Sequence, residues 1–297
     1  MKPTPDDHPT LEQDATLDET LRRVAYEAGM LLGLEATRDE QQYHRRRLTR
    51  HQYWLNGYGT LVGMAVGIDP DSHANDTDTI TVRLTVGPGV GVDGLGREVL
   101  IHEPYCIDLG QWLAAQSETH LREGYDDGQD RLTLTVMVRQ KDCPVAAQPV
   151  LARKLNLSTD AVQPSRTADS VLLELIPAQP EAVDARYKPW ACHSRLAYAL
   201  PALTAEEQAT LDATDGEANA QLALHARLLH ALGSDGVCIR DLSGDLEQGA
   251  RLPLARVTIQ TTDVDAIIVN PQRITINNLV RPFLVSASQL AWLLRQP

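Results

Sequence analysis

The chain has 297 residues, of which 27 are Lys or Arg and 40 are Asp or Glu, giving a formal net charge of −13 at pH 7. This negative balance argues against duplex nucleic acid as a partner, because the phosphates attract basic surfaces. The length allows two compact units or one large unit with appendages, and a hydrophobic fraction of 43% is ordinary for a globular protein.

The first residues, Met1 to Asp14, are polar and acidic, which is unlike a secretory signal or a transit peptide. No apolar run approaches the roughly 20 residues that a membrane-spanning helix needs. We therefore expect a cytoplasmic protein without membrane insertion. The cysteines are widely spaced and form no CxxC pair, which excludes a zinc ribbon and predicts buried free thiols. They are Cys106, Cys143, Cys192 and Cys238.

The N-terminal part, residues 1–57, is predicted to be a helical arm. Good helix formers fill Thr16 to Ala28, and a second helix is expected from Ala36 to Leu55. Between them, Gly29 to Gly33 places two glycines around apolar residues, which breaks the helix and favours a pair of helices joined by a short link.

From Gly57 the hydrophobic pattern changes to a period of two, which is typical of half-buried strands. Residues 58–180 are therefore predicted to form a β-rich domain of antiparallel strands, with a short helix from Asp108 to Gln116. The predicted strands are Leu61–Ile68, Thr79–Val86, Val90–Val92, Glu98–Ile101, Arg131–Gln140 and Val171–Ile176.

Four prolines between Pro177 and Pro201 predict a linker, and residues 181–297 are assigned to a mixed C-terminal α+β domain. Thr204 with Glu207 forms a capping-box pattern at the start of one helix. The remaining predicted helices are Glu217–Leu232 and Ser288–Arg295, and the predicted strands are Leu254–Gln260, Ala266–Val269 and Arg273–Ile276. The predicted fold class is α+β, with a helical N-terminal module, an antiparallel β-rich body and a mixed C-terminal part.

One segment, Gly89 to Gly94, matches the GxGxxG fingerprint of dinucleotide-binding proteins. That fingerprint works by placing a pyrophosphate at the N-terminus of a helix, and here a turn and a strand are predicted to follow instead. The glycines are better explained as turn residues, and Gly94 is expected at the position of the turn that needs a positive φ. We therefore expect no cofactor.

Glu40, His44 and His51 share one predicted helix face at a spacing that could offer metal ligands. A lone helix rarely supplies a full set, so a surface ion pair between Glu40 and Arg47 or its neighbours is preferred, and no metal site is assigned. No sequence signature of a nucleophile or of a phosphate-binding loop is present, and no catalytic residue is assigned.

The chain has one basic cluster, formed by Arg45, Arg46, Arg47 and Arg50. In an acidic chain this face could pair with acidic loops of a neighbouring copy, and we take it as a candidate subunit interface. A simply solvated helix face is an equally good interpretation.

Several motifs recur together in a family whose members are otherwise uncharacterised. They are the Gly-Met-Leu-Leu-Gly segment Gly29–Gly33, Asp39–Arg45, His51 with Leu55 and Gly57, the Pro88–Glu98 hairpin, Asp142–Pro144, Pro164–Arg166 and Leu252–Val257. In this combination the chain resembles that family, which is associated with contractile, phage-tail-like injection particles. The agreement is scattered over Gly29 to Val257 and is weakest from Pro177 to Leu252.

The resemblance implies a structural, non-enzymatic part of the baseplate or of a surrounding cage, assembled in the cytoplasm. An isolated two-helix arm buries too little surface to be stable alone, so we expect a homo-oligomer or a hetero-complex. The homo-oligomer, with contacts to other particle proteins, is preferred because particle parts usually repeat around a symmetry axis. Two alternatives stay open: a hydrolase or carbohydrate-active enzyme using loop carboxylates such as Asp126 and Asp130, and an adaptor module that docks a partner.

Overall fold

The computed structural model describes residues 21–70, 72, 82–149, 162–178, 203–229, 249–262, 267 and 269–293. Helices and antiparallel sheets are both present, so the prediction of an α+β fold is confirmed. The helices are α1 (Leu34–Asn56), α2 (Leu109–Ala114), α3 (Glu118–Arg122), α4 (Ala205–Asp212), α5 (Gly216–Leu229) and α6 (Ala287–Leu293). Two 3-10 turns, Pro271–Arg273 and Asn278–Val280, flank the last strand.

Most strands are short, and two are long. They are β1 (Gly59–Gly63), β2 (Val66–Ile68), β3 (Arg83–Val86), β4 (Gly89–Val92), β5 (Glu98–Ile101), β6 (Tyr105–Asp108), β7 (Tyr125–Asp126), β8 (Arg131–Pro149), β9 (Val162–Pro177), β10 (Leu252–Gln260) and β11 (Ile274–Asn277). They form sheets in the orders β1-β4-β5, β2-β3-β6 and β11-β10-β8-β7, with β9 also paired to β8. All of these strand pairs are antiparallel.

Helix α1 confirms the second predicted helix and extends it by about one residue or two at each end. The first predicted helix, Thr16 to Ala28, is wrong over its described part, because residues 21–28 are not helical. The Val24 N–H donates to Glu40 Oε2 over 3.1 Å, so this segment runs beside α1. A short helix without a buried face is marginal in water, and these side chains are mostly exposed.

The predicted strand Leu61–Ile68 is divided into two strands of different sheets. The break lies at Gly63 and Met64, whose φ angles are 71° and 56°. A chain that enters the left-handed region cannot continue as a flat strand, so β1 and β2 diverge there. The predicted strand Thr79–Val86 is confirmed over β3, and residues 79–81 lie outside the described residues.

The third sheet draws strands from both sides of residue 180. Strand β8 pairs with β10 through Leu132 and Ile259 at one end and through Val138 and Leu252 at the other. The predicted strand Ala266–Val269 is not formed at its described residues, 267 and 269. The Pro-rich stretch from residue 179 to residue 202 lies outside the described residues, so the predicted domain boundary there stays a prediction.

One buried hydrophobic cluster joins all three sheets and the helices α2 and α3. Its fully buried members include Leu84 of β3, Val99 of β5, Leu134 of β8 and Leu254 of β10. As the sequence predicted, Thr204 and Glu207 form a reciprocal capping box at the start of α4. The other helices of the β-rich part also begin at side-chain caps, Asp108 for α2 and Ser117 for α3.

Candidate functional site

The outer half of the β8–β9 hairpin, residues 141–149 with 162–170, is exposed at most of its described residues, and we name it the β-arm. Strand β8 pairs with β10 only as far as Val138, whereas its pairing with β9 continues to Pro149 and Val162. At about 3.3 Å per residue, the β-arm extends about 30 Å. A two-stranded ribbon of this kind is marginally stable in water unless it packs on something else.

Both faces of the β-arm are open. Among residues 141–148 only Cys143 is half-buried, and among residues 164–170 only Ala168 and Ser170 are. Closer to the body the same two strands bury alternate side chains, such as Val136 and Leu175. The change occurs within the hairpin, so β8 and β9 contribute to the core at one end and present an open surface at the other.

Two of the short sequence motifs meet on the β-arm. Asp142–Pro144 of β8 lies opposite the strand that carries Pro164–Arg166, with Val145 paired to Arg166. The Ser165 hydroxyl donates to the main-chain oxygen of Ala146 over 2.7 Å, and Ala146 has a φ of 55°. The prolines of the two motifs lack an N–H, which limits pairing with a further strand. Contacts made by the β-arm would therefore rely on its side chains.

A groove of about 320 Å³ lies between α1, the β4–β5 hairpin and the base of the β-arm. Its lining is mixed in charge and polarity: Arg45, Leu48, Leu100, His102, Gln140 and Asp169 contribute to it. The groove brings α1 into proximity with three strands. Of its charged and titratable lining residues, Arg45, His102 and Asp169 are exposed to solvent.

The turn of the β4–β5 hairpin packs directly against α1. Gly96 has a φ of 82°, and a Cβ there would collide with the main-chain oxygen of Thr49 and lie 2.9 Å from the main-chain nitrogen of Tyr53. The helix therefore rests directly on the turn. Gly94, the other turn glycine, is not at a positive φ, so the expectation that Gly94 occupies the left-handed position is wrong and Gly96 holds that position instead.

The same turn is organised by a buried ion pair. Arg97 Nε donates to Asp93 Oδ2 over 2.7 Å, and the two side chains are 5% and 0% exposed. Asp93 Oδ1 accepts the N–H groups of Leu95 and Arg97. Burial raises the pKa of the Asp93 carboxyl from its ordinary value, although Arg97 and the two N–H groups oppose that shift. The pair closes the turn from inside and is not available to a ligand.

The fingerprint-like glycines are placed by this hairpin, not by a phosphate loop. Gly89 and Gly91 lie within β4, so their interpretation as turn residues is wrong. A Cβ at Gly91 would lie 2.8 Å from Leu252 Cδ2 and 2.9 Å from the main-chain oxygen of Gly59. Small residues are needed there because β1 and β10 approach closely, and the strand β5 follows where the fingerprint requires a helix.

The four interface candidates, Arg45, Arg46, Arg47 and Arg50, lie on different sides of α1. Arg46 is 6% exposed and Arg50 is half-buried, whereas Arg45 and Arg47 are exposed. Arg47 Nη1 donates to the Tyr43 hydroxyl over 2.9 Å. A partner could therefore reach Arg45 and Arg47 from outside, and the role of the cluster as a subunit interface stays a prediction.

The candidate metal residues do not gather into a site. His44 Nε2 lies 3.1 Å from Glu40 Oε1, so Glu40 pairs with His44 where an arginine partner was expected. Within the described residues no group of three or more His, Cys, Asp or Glu side chains could hold a metal ion. Cys106 and Cys143 are free, and Cys106 is exposed, so the prediction of buried thiols is wrong for that residue.

The loop acids considered for catalysis shape a turn. Asp126 Oδ1 accepts the Gly128 N–H over 3.0 Å, and Asp126 Oδ2 lies 3.5 Å from Arg131 Nη2. Asp127 and Asp130 are exposed in the same turn, where Asp130 has a φ of 46°. Two further candidates, Asp241 and Asp245, lie outside the described residues. The observed contacts of Asp126 fit a structural role in joining β7 to β8.

Comparison with known proteins gives a likeness among the solved structures. No protein-family model matches the chain, and no curated protein matches it significantly. Among solved structures, the chain is similar to one in the type VI secretion system TssK-TssF-TssG baseplate subcomplex, determined by cryo-electron microscopy. The sequence identity is 14% and the TM-score is 0.26, and the match covers 78% of this chain and 82% of the other. A TM-score of this size does not establish a common fold.

No helix in the part of the chain that the structure describes is both long enough and apolar enough to span a bilayer. Helix α1, the longest, carries charged residues along its length, among them Arg38, Asp39 and Arg47.

Proposed function

We propose that the chain is a structural, non-enzymatic subunit of a contractile injection or phage-tail-like particle, located in the baseplate or in a cage around it. The assembly role is carried by one observation, the β-arm, which is paired along its whole described length and exposed on both faces. A ribbon of this length gains stability by packing on a neighbouring protein. The kind of particle is supported by the sequence resemblance.

The motifs behind that resemblance occupy positions that suit an assembly protein. Helix α1, which carries one motif, packs on the hairpin motif where Gly96 meets Thr49. The motifs at Asp142 and Pro164 lie on the β-arm. One set of motifs thus stabilises the body, and the other set lies on the surface that would meet partners.

The experiment is made on particles purified from the organism that encodes the chain. Mass spectrometry should find the protein in them, and negative-stain images of a strain that lacks its gene should show particles that are absent or incomplete. Complete particles formed reproducibly without the protein would contradict the proposal, because a structural subunit of the baseplate or cage cannot be dispensable for assembly.

A complementation series tests the β-arm within that experiment. The double variant Val145→Asp/Arg166→Asp changes two exposed, directly paired residues of the β-arm, and Asp127→Lys is the matched control in an exposed turn elsewhere. We expect the control to restore particles. The β-arm variant should remain soluble, with a melting temperature lowered only slightly by the two opposed carboxylates, but outside the particle. Incorporation of both proteins to the same level would show that the β-arm does not make the contact.

A further inference from the structure

The C-terminal segment from Ile274 to Trp292 presents an uncharged surface in a strongly acidic chain. Its one ionisable side chain is Arg281, which is 5% exposed and therefore does not contribute to the surface charge. The whole chain, by contrast, is 23% charged and carries a net charge of −13. Two copies of such a chain repel each other because both are negatively charged. The repulsion is weakest between surfaces that carry no charge, such as that of this segment.

The same segment exposes large apolar side chains, and we name the group the C-terminal surface. Leu279 is 82% exposed, and the other members are 53% to 62% exposed. The group consists of Leu279, Phe283, Val285, Leu290 and Trp292, with Val62 of the neighbouring strand β1. Added together, these side chains expose on the order of 500 Å² of apolar area, compared with the roughly 800 Å² that each partner buries in an interface of standard size.

A strand edge runs through the C-terminal surface. The Thr60 N–H donates to the Pro282 oxygen over 2.9 Å, and the Leu284 N–H donates to the Thr60 oxygen over 3.0 Å. Phe283 therefore forms an isolated parallel bridge with Thr60 of β1, outside the order β1-β4-β5. In this pattern the N–H and C=O groups of Phe283 point away from β1. Within the described residues neither group has a hydrogen bond, so the edge is ready to pair with another strand.

We propose that the C-terminal surface is the contact between two copies of this chain, related by a two-fold axis that pairs the Phe283 edges in antiparallel orientation. A strand edge paired with its own copy is self-complementary, as a two-fold interface requires. The neutral surface keeps like charges out of the contact itself, and the exposed apolar side chains of each copy become buried. This contact does not depend on the particle role.

The two candidate interfaces of this chain differ in their response to salt. Association through Arg45 and Arg47 would weaken as salt screens the charges, whereas association through the C-terminal surface is maintained or strengthened. Sedimentation of the full chain over a range of concentrations, at low and high ionic strength, should show a dimer that persists at high salt. A chain that is monomeric at every concentration, or a dimer that dissociates in salt, would overturn the proposal.

Charge substitutions at Phe283 locate the contact. Phe283 is 55% exposed, so Phe283→Glu and Phe283→Lys should each fold with a normal melting temperature and weaken self-association about 100-fold or more. Mixing the two variants should restore dimers, because the opposite charges meet across the two-fold axis. The matched control is Leu55→Glu, which alters a residue of α1 that is 74% exposed, and it should leave the dimer intact.

A substitution at a second position tests whether the result at Phe283 holds for the rest of the C-terminal surface. Trp292→Glu on α6 should weaken the dimer in the same way, since Trp292 is 62% exposed within the same surface. Dimerisation that is unchanged in both the Phe283 and the Trp292 variants would overturn the proposal. Loss of the dimer in the Leu55→Glu control alone would place the contact on α1 and would overturn it equally.

Discussion

Arg281 Nη1 donates to the main-chain oxygen of Met64 over 2.9 Å, although the two residues are 217 positions apart in the sequence. The same guanidinium donates to the main-chain oxygens of Gly63 and Asn278 and to the side-chain oxygen of Asn278. Its acceptors are thus uncharged oxygens, and burial lowers the pKa of Arg281 from its ordinary value. Gly63 and Met64 form the left-handed kink between β1 and β2, so the C-terminal segment holds that kink in place.

Removal of this guanidinium should destabilise the protein. Arg281→Ala would leave the oxygens of Gly63 and Met64 without their donor, and we expect a loss of about 2 to 4 kcal/mol in the free energy of unfolding. Urea denaturation of the wild-type protein and the variant measures this loss of stability. Arg273→Ala, which removes an exposed arginine immediately before that segment, is the control and should cost less than about 0.5 kcal/mol. Equal effects of the two substitutions would show that the Arg281 contacts do not stabilise the kink.

The close approach of α1 to the hairpin turn predicts a position-specific cost at Gly96. Gly96→Ala places a Cβ against Thr49 and Tyr53 at a φ of 82°. Gly29→Ala imposes similar backbone strain at a φ of 88°, with no atom within 4 Å of the new Cβ. We expect about 1 kcal/mol for Gly29 and about 3 kcal/mol or more for Gly96. Melting curves of the two variants compare them directly, and similar values would mean that α1 does not press on the turn.

The buried ion pair gives a third test. Asp93→Asn keeps an oxygen for the N–H groups of Leu95 and Arg97 but removes the negative charge beside the Arg97 guanidinium. Loss of one partner of a buried pair costs about 3 to 5 kcal/mol, because the remaining charge stays desolvated. The double variant Asp93→Asn/Arg97→Met removes both charges and should recover much of that loss. A double variant less stable than Asp93→Asn alone would contradict this assignment.

The sequence predicted the elements whose formation depends on neighbouring residues in the chain. The capping box of Thr204 and Glu207, the short helix after Asp108 and the alternating strand at Arg131 all depend on residues within a few positions of one another. The kink at Gly63 and Met64 was missed because its support comes from Arg281, far along the chain. No periodicity within Leu61 to Ile68 contains that information.

The β-arm was missed for a different reason. Alternation reveals a strand when one face is buried, and beyond Gln140 both faces of the hairpin are exposed. The prolines at positions 144 and 164 also argue against a strand, although they are tolerated at an edge. The glycine at a positive φ was expected at position 94 but lies at position 96. The sequence indicates a turn at Asp93 to Gly96, but a glycine is required at position 96 because α1 packs against it.

The division of β8 into a core half and an exposed half predicts unequal costs for the same substitution on one strand. Val138 is fully buried where β8 pairs with β10, and Val145 is 40% exposed on the β-arm. Each Val→Ala change removes two methyl groups, which should cost about 2 kcal/mol at Val138 and less than about 0.5 kcal/mol at Val145.

Urea unfolding of the purified chain at low concentration, where self-association is minimal, gives both values. A cost at Val145 as large as that at Val138 would mean that the β-arm packs on its own body, and an exposed docking role for it would then be excluded. A small cost at Val145, together with failure of Val145→Asp/Arg166→Asp to enter particles, would assign the β-arm to contacts between proteins, because the substitutions would affect assembly without affecting the fold.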